Sequence, residues 1–323
     1  MGSTTSRSTA MLILGLLVAP PVQAQQAGDI ARYELPADVT YPEGIAYDAK
    51  QNVIYTGSAA TGALVRIALD SKQTTTVAAG GSVMAVEPFP ALLGMKIDTL
   101  GRLWVAGGRT GQMAVVDSKS GKLVRKLETP TKDKSLINDV VVLGATAYFT
   151  DSFTPTLWRV VAHGDHIMDP EAWLQFAGTP LEYTSPGANL NGIAATADGK
   201  HLIVVQMNKG LLFRIGIDDK RVTPIDLGGE TVATGDGLVL DGQTLYVVRQ
   251  GEQEIVTIQL TPDLGKGRVV SRFKHAALAW PATAAKAGDR LLVVNTQFNK
   301  RQSKDPVAPF SIVAVPLSML AGK

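Results

Sequence analysis

The chain has 323 residues, 31 Lys and Arg against 29 Asp and Glu, a formal net charge of +2, and no cysteine. Disulfides, thiolate zinc sites, cysteine nucleophiles and a thiol-linked lipid anchor are therefore excluded. The balanced charge, with no cluster of basic residues, argues against nucleic acid as a partner.

At the N-terminus, Arg7 precedes an apolar run from Met11 to Ala19, and Val22-Gln23-Ala24 follows with small residues in an A-x-A-like arrangement. This pattern predicts an export signal over residues 1–24, cleaved after Ala24, and hence a periplasmic or secreted protein. The run is too short to span a bilayer, so no membrane partner is expected after cleavage; a retained anchor is the alternative.

Six similar units fill the rest of the chain. They open at Glu43-Gly44-Ile45-Ala46, Gly94-Met95-Lys96-Ile97, Asn138-Asp139-Val140-Val141, Asn191-Gly192-Ile193-Ala194, Asp236-Gly237-Leu238-Val239 and Trp280-Pro281-Ala282-Thr283. Each opening is followed by a turn and a second apolar run, such as Val53-Ile54-Tyr55-Thr56 or Leu245-Tyr246-Val247-Val248. Most units add a third strand, such as Leu211 to Ile215, and some a fourth, such as Lys122 to Leu127. The units recur at roughly 44 to 53 residues, the period of propeller blades. Short runs rich in Val, Ile, Leu and Tyr between turn dipeptides read as strands. The prediction is an all-β, six-bladed β-propeller with four antiparallel strands per blade, a single domain over residues 25–323. A two-sheet sandwich is the alternative. Residues near Ile30–Tyr33 are expected to pair with the last blade beside Ser311–Val315 and close the ring. Helix is expected only as a turn or two within Asp169–Phe176.

Loops that lead into the inner strands of a propeller ring one mouth of its channel. Glu43, Asn138, Asn191 and Asp236 hold that place in their units. Two carboxylates and two amides make a hard, all-oxygen set that suits calcium, with magnesium or manganese as alternatives. Three of the four also have a plainer reading, and Glu43 before Gly44 is less easily explained as turn chemistry. Asn and Asp before Gly are common turn formers, and Asn138-Asp139 also reads as a cap or a bulge. The loop Gly81–Pro90, carrying Met84 and Phe89, reads equally as an apolar wall for a substrate or as a packed connector. Arg249, Gln206, Asn295 and Gln297 end second strands, so they are expected deeper in the channel or at the opposite mouth. Of the four histidines, His201 reads as a strand residue, His163 and His166 as loop residues, and only His275 is retained as an outside site candidate.

The strings Pro42-Glu43-Gly44-Ile45-Ala46-Tyr47-Asp48, Ile137-Asn138-Asp139, Asn191 to Lys200 and Gly235-Asp236-Gly237-Leu238 resemble the SMP-30/gluconolactonase/LRE-like family of calcium-dependent propeller lactonases. The resemblance implies that Glu43, Asn191 and Asp236 hold the metal, that Asn138 assists metal or substrate, and that Asp236 serves as general base. Two departures concern the substrate. Leu136 stands where sugar-lactone enzymes of the family often carry arginine, and Gln206 ends a strand that often ends in aspartate. Both make the pocket less suited to a polyhydroxylated sugar acid. The reading is a metal-dependent hydrolase of lactones or related esters acting on a small molecule. The alternatives are a non-catalytic propeller with a structural metal and an enzyme of the strictosidine-synthase type, whose first blade Tyr41-Pro42-Glu43-Gly44 also resembles. Oligomeric state is open.

Overall fold

A computed structural model of the chain describes residues 1–2, 28–184 and 187–322. The export signal expected over residues 1–24 thus lies almost wholly outside the described residues. Among the described residues, no helix is long and apolar enough to cross a membrane.

The chain forms six four-stranded antiparallel blades, with one extra short strand in the third. Their inner strands are Pro42–Asp48, Met95–Ile97, Ile137–Leu143, Leu190–Ala195, Gly235–Asp241 and Pro281–Ala287. Each inner strand packs on its two neighbours, so the six close into a ring. Adjacent blades then meet face to face, and one apolar cluster fills each junction. Trp104 and Met113 of the second blade, for example, pack with Phe149 and Trp158 of the third. Ile203 and Leu212 of the fourth blade meet Val247 and Val256 of the fifth in the same way. This arrangement explains why the second strands are apolar on both faces: Arg102–Ala106 and Val53–Ser58 are buried along their whole length. The first and last blades share a cluster too, with Ile54 and Val65 against Val294 and Ile312.

Ring closure follows the expectation. Ala31–Glu34 forms the outer strand of the sixth blade, pairing Ala31 with Ala314 and Glu34 with Ser311. The N-terminal strand is thus sewn into the blade that ends the chain, and this pairing closes the ring. One local expectation fails. Within Asp169–Phe176 the chain makes a strand, Glu171–Gln175, which is the outer strand of the third blade, and no helical turn. Trp173 is drawn into the junction beneath, in edge contact with Tyr148, and that burial favours extended backbone. His163 and His166 likewise pair across a tight hairpin instead of sitting in a loop.

The feature that positions the site is a bulge repeated near the start of the inner strands. Pairing with the second strand skips two residues between Pro42 and Ile45, Ile137 and Val140, Leu190 and Ile193, Gly235 and Leu238, and Pro281 and Ala284. A bulge bends the strand and re-aims one side chain. The residues released from pairing are Glu43-Gly44, Asn138-Asp139, Asn191-Gly192, Asp236-Gly237 and Ala282-Thr283. The glycines are required by close approach of neighbouring inner strands, so the turn-former reading of Asn191-Gly192 and Asp236-Gly237 does not hold. A Cβ on Gly192 would stand 2.1 Å from the Asp236 carbonyl oxygen, and one on Gly237 would stand 2.5 Å from the Thr283 Cα. Gly192→Ala is expected to cost about 1–3 kcal/mol by overpacking against backbone. Calorimetry should show Tm lowered by several degrees; an unchanged Tm would mean that the inner strands spread without penalty.

Candidate metal centre at the channel mouth

Glu43, Asn138, Asn191 and Asp236 come from four blades and line one cavity of about 490 Å³ at the mouth of the channel. All four are buried, with relative exposures of 4%, 7%, 4% and 4%. The bulges supply the convergence: each places its first residue toward the axis, where strand pairing would have turned it between the blades.

The amides are oriented by neighbours. Asn138 Nδ2 donates to Ser152 Oγ at 2.9 Å, and Ser152 Oγ donates onward to the Leu190 carbonyl at 2.5 Å, tying the third blade to the fourth. Asn191 Nδ2 donates to Met207 Sδ at 3.2 Å. With their nitrogens engaged, both amides are left with a buried Oδ1 that has no hydrogen-bond partner, and Glu43 Oε2 is in the same state. A buried acceptor without a partner is costly. Three of them, from three blades at one cavity, form a set short of a positive partner. For Asn138 the amide nitrogen is thus spent on Ser152, and its oxygen is the atom left for a metal or substrate.

Electrostatics point the same way. Burial pushes the Asp236 carboxyl well above the ordinary carboxylate range; the charge of Asp139 adds to the rise and the Asn191 amide opposes it. Burial likewise raises Glu43 well above its usual value, reinforced by Asp236 and Asp139 and opposed by Lys96. Asp139 is raised by burial, with Lys96 and the backbone N–H groups of Val140 and Ile193 working against the rise. Its two oxygens are already used by those N–H groups, at 2.8 and 3.3 Å. A divalent cation would satisfy the orphaned oxygens and relieve the crowded carboxylates together. Among the described residues no three His, Asp or Glu side chains are arranged to hold a metal on their own. A cation here would therefore depend on the amide oxygens of Asn138 and Asn191 as well as on the carboxylates.

Several neighbours had no signal in the sequence. Gln250 Nε2 donates to Asp236 Oδ2 at 2.8 Å from the residue just after a second strand. Met207 and Ser152 occupy the same place after their second strands and hold Asn191 and Asn138. Because an antiparallel hairpin returns to its starting end, Gln206, Arg249 and Asn295 pair with Leu190, Gly235 and Pro281. They stand at the site's own mouth, contrary to the deeper or opposite placement expected from the sequence. They brace connectors there: Arg249 Nε reaches the Ala233 carbonyl at 2.7 Å, and Asn295 Nδ2 the Ala277 carbonyl at 2.8 Å. Gln297 does the same for the loop that ends at Val307. The loop Gly81–Pro90 divides between its two readings. Phe89 and Pro90 form cavity wall, whereas Met84 packs inside a blade junction. Leu136 also lines the cavity as apolar wall. His275 is exposed and stacked on Phe273, away from the cavity.

Residues 25–137 match the family model described as the SMP-30/gluconolactonase/LRE-like region. The resemblance read from the motifs thus holds across the first two blades, including Glu43, and ends one residue before Asn138. No curated protein matches the chain. Solved structures extend the likeness of fold to the whole ring. A luciferin-regenerating enzyme shares 14% identity at a TM-score of 0.62, covering 91% of this chain and 98% of its own. A calcium-binding protein, regucalcin, from Agrobacterium tumefaciens shares 16% identity at a TM-score of 0.57, over 88% and 92% of the two chains. A streptogramin B lyase shares 14% identity at a TM-score of 0.58, over 84% and 83%. At these identities the shared property is the propeller itself, and one propeller supports several chemistries.

Proposed function

We propose that the protein is a divalent-cation-dependent hydrolase of lactones or related esters, gluconolactonase-like in its architecture, with calcium as the preferred ion. The observation that carries this reading is the trio of buried, unpartnered oxygens on Glu43, Asn138 and Asn191 beside Asp236. The match of residues 25–137 to a family that includes gluconolactonases supports it, as does the calcium-binding regucalcin among the similar folds.

Glu43, Asn138, Asn191 and Asp236 would hold the ion, since all offer oxygen and calcium accepts mixed carboxylate and amide donors. When bound, such an ion supplies the Lewis acidity that polarises an acyl carbonyl. The chain's own residues do the rest. Gln250 fixes Oδ2 of Asp236 and leaves Oδ1 to take a proton from an attacking water. Leu93, Leu136, Phe89, Pro90 and Phe298 give the cavity an apolar wall that packs the acyl compound and limits bulk water. Ser152 and Met207 keep the two asparagine oxygens aimed at the floor.

The test is a panel of lactones and simple esters given to protein stripped of cations and then resupplied with calcium, magnesium or manganese. Hydrolysis is expected to vanish on chelation and to return best with calcium. Turnover that survives chelation would remove the cation from the chemistry. Tight calcium binding with no turnover of any panel member would reduce the ion to a tie between blades.

A further inference from the structure

We propose that this cavity selects substrates that carry a carboxylate on an apolar body, and that Arg109 and Arg301 are the residues that select them. The proposal rests on reading the cavity as the substrate site. Both arginines line it, and they arrive from distant parts of the chain. Arg109 lies between the strands Arg102–Ala106 and Gln112–Asp117 of the second blade, and Arg301 between Arg290–Asn295 and Ser311–Pro316 of the sixth.

Both are anchored on the same short segment. The Arg109 backbone N–H donates to the Pro90 carbonyl at 3.0 Å. The preceding Gly108 is held in the left-handed region at φ 61°, where a Cβ would stand 2.0 Å from that carbonyl oxygen, so only glycine fits this turn against the Pro90 segment. The Arg301 guanidinium lies over the Phe89 ring at 3.5 Å from its centre. Its loop is held by Gln297, which both donates to and accepts from Val307 at 2.9 and 2.8 Å. The Arg109 guanidinium lies over Phe153 at 4.9 Å. A guanidinium stacked on a ring spends its face on the ring and keeps its in-plane N–H groups for a planar anion.

Neither guanidinium makes an ion pair or a side-chain hydrogen bond among the described residues. Asp305, the acidic residue nearest Arg301 in sequence, pairs with Lys300 at 3.3 Å; Asp117, the nearest to Arg109, accepts from Ser120; and Glu87, beside the anchoring segment, accepts from the Phe89 backbone N–H at 3.1 Å. By contrast, the other strongly basic site, Arg249 with Arg272, is neutralised by Glu254, Glu252 and Glu230. The charge balance within the cavity decides the sign. A divalent cation on the floor cancels the charges of Glu43 and Asp236, and Asp139 is turned into its own backbone contacts. What remains facing the cavity is a pair of unmatched positive charges beside aromatic rings. That combination favours a carboxylate, which binds guanidinium through two parallel hydrogen bonds, attached to an apolar or aryl body that packs on Phe89 and Phe298.

The test uses the calcium-loaded full-length protein and two non-hydrolysable probes, phenylacetate and phenethyl alcohol, titrated calorimetrically at low salt. Phenylacetate is expected to bind about tenfold or more tighter than the alcohol, the size of a charge-assisted pair. In R109Q/R301Q that preference should fall to within about threefold, while calcium affinity, measured first, stays unchanged; each single variant should fall between. Equal binding of the two probes by the wild type, or no binding of phenylacetate at millimolar concentration, would overturn the proposal. A preference that persists in the double variant would place the carboxylate on the cation and overturn it equally. Because neither probe carries an acyl bond to break, the result stands whether or not the protein proves to be a hydrolase.

Discussion

Asp236→Asn is expected to raise the melting temperature of the cation-free protein while abolishing the stabilisation by calcium and the hydrolysis that depends on it. Without a cation, burial first and then the neighbouring carboxylates oppose ionisation of Asp236 and Glu43, so near neutral pH each either carries a disfavoured charge or holds a proton that the unfolded chain has released. An amide of the same shape removes one charge and still accepts from Gln250 through its own oxygen, so the cation-free fold gains. The same change removes one of two carboxylates from the ion's donors and deletes the base. Loss of a general base lowers kcat by about 10²–10⁴-fold, and loss of a ligand removes the stabilisation that grows with cation concentration. Glu43→Gln should share the higher cation-free Tm and shift the calcium response to higher calcium concentration. It should keep more activity than Asp236→Asn at saturating calcium, because its base remains. Both would be read by calorimetry with chelator and with calcium, alongside lactone hydrolysis. A calcium response equal to wild type in both variants would remove these carboxylates from the ion site. A lower cation-free Tm in both would mean that their charges are satisfied by something else.

The cation-free protein should also lose stability as pH rises from about 4 toward neutrality, and calcium should restore it progressively over that window. The sign follows from linkage. Glu43, Asp139 and Asp236 are all raised in the folded state above their ordinary values of 4.5, 3.8 and 3.8. Above those ordinary values the unfolded chain has released the protons while the folded chain still holds them. Their contribution is therefore complete below about pH 4 and lost as pH rises through the folded values. The carboxylates lowered in the folded state act elsewhere, Asp98 being the most enclosed of them. Asp98 is buried, which works to raise it, but hydrogen bonds from Trp104 and Arg102 hold it below its ordinary value. Its contribution is present above about pH 4 and lost only on further acidification. Thermal melts in chelator between about pH 4.5 and 8 should fall with pH, and the rise in Tm on adding calcium should widen with pH. A calcium effect independent of pH, or a cation-free Tm that climbs across this range, would contradict the carboxylate origin.

The propeller was readable because repetition multiplies a weak signal. One run such as Val53 to Thr56 says only that a strand is plausible, but six such runs at a common period require an architecture in which every unit meets its neighbours in the same way. The misread segment, Asp169–Phe176, is where that repetition lapses. Its polar flanks lack alternation, and its strand forms because Trp173 finds a slot between two blades, a contact between residues remote in the sequence. The candidate site divides along the same line. Glu43, Asn138, Asn191 and Asp236 stood out because equivalent positions of a closed repeat converge, and the repeat is visible in the chain. Ser152, Met207 and Gln250 did not stand out. They share a structural position but not a residue type, so no pattern marks them.

By itself, the order of residues determined the number of blades, the joining of the first and last strands, and the choice of hard oxygen donors at the channel mouth, because each depends only on local alternation and its period. The three-dimensional arrangement alone decided which atoms of those donors are free. Whether an asparagine shows its oxygen or its nitrogen, and whether an arginine at the rim has a carboxylate beside it, depends on neighbours contributed by other blades. Those distances are set only when the ring closes.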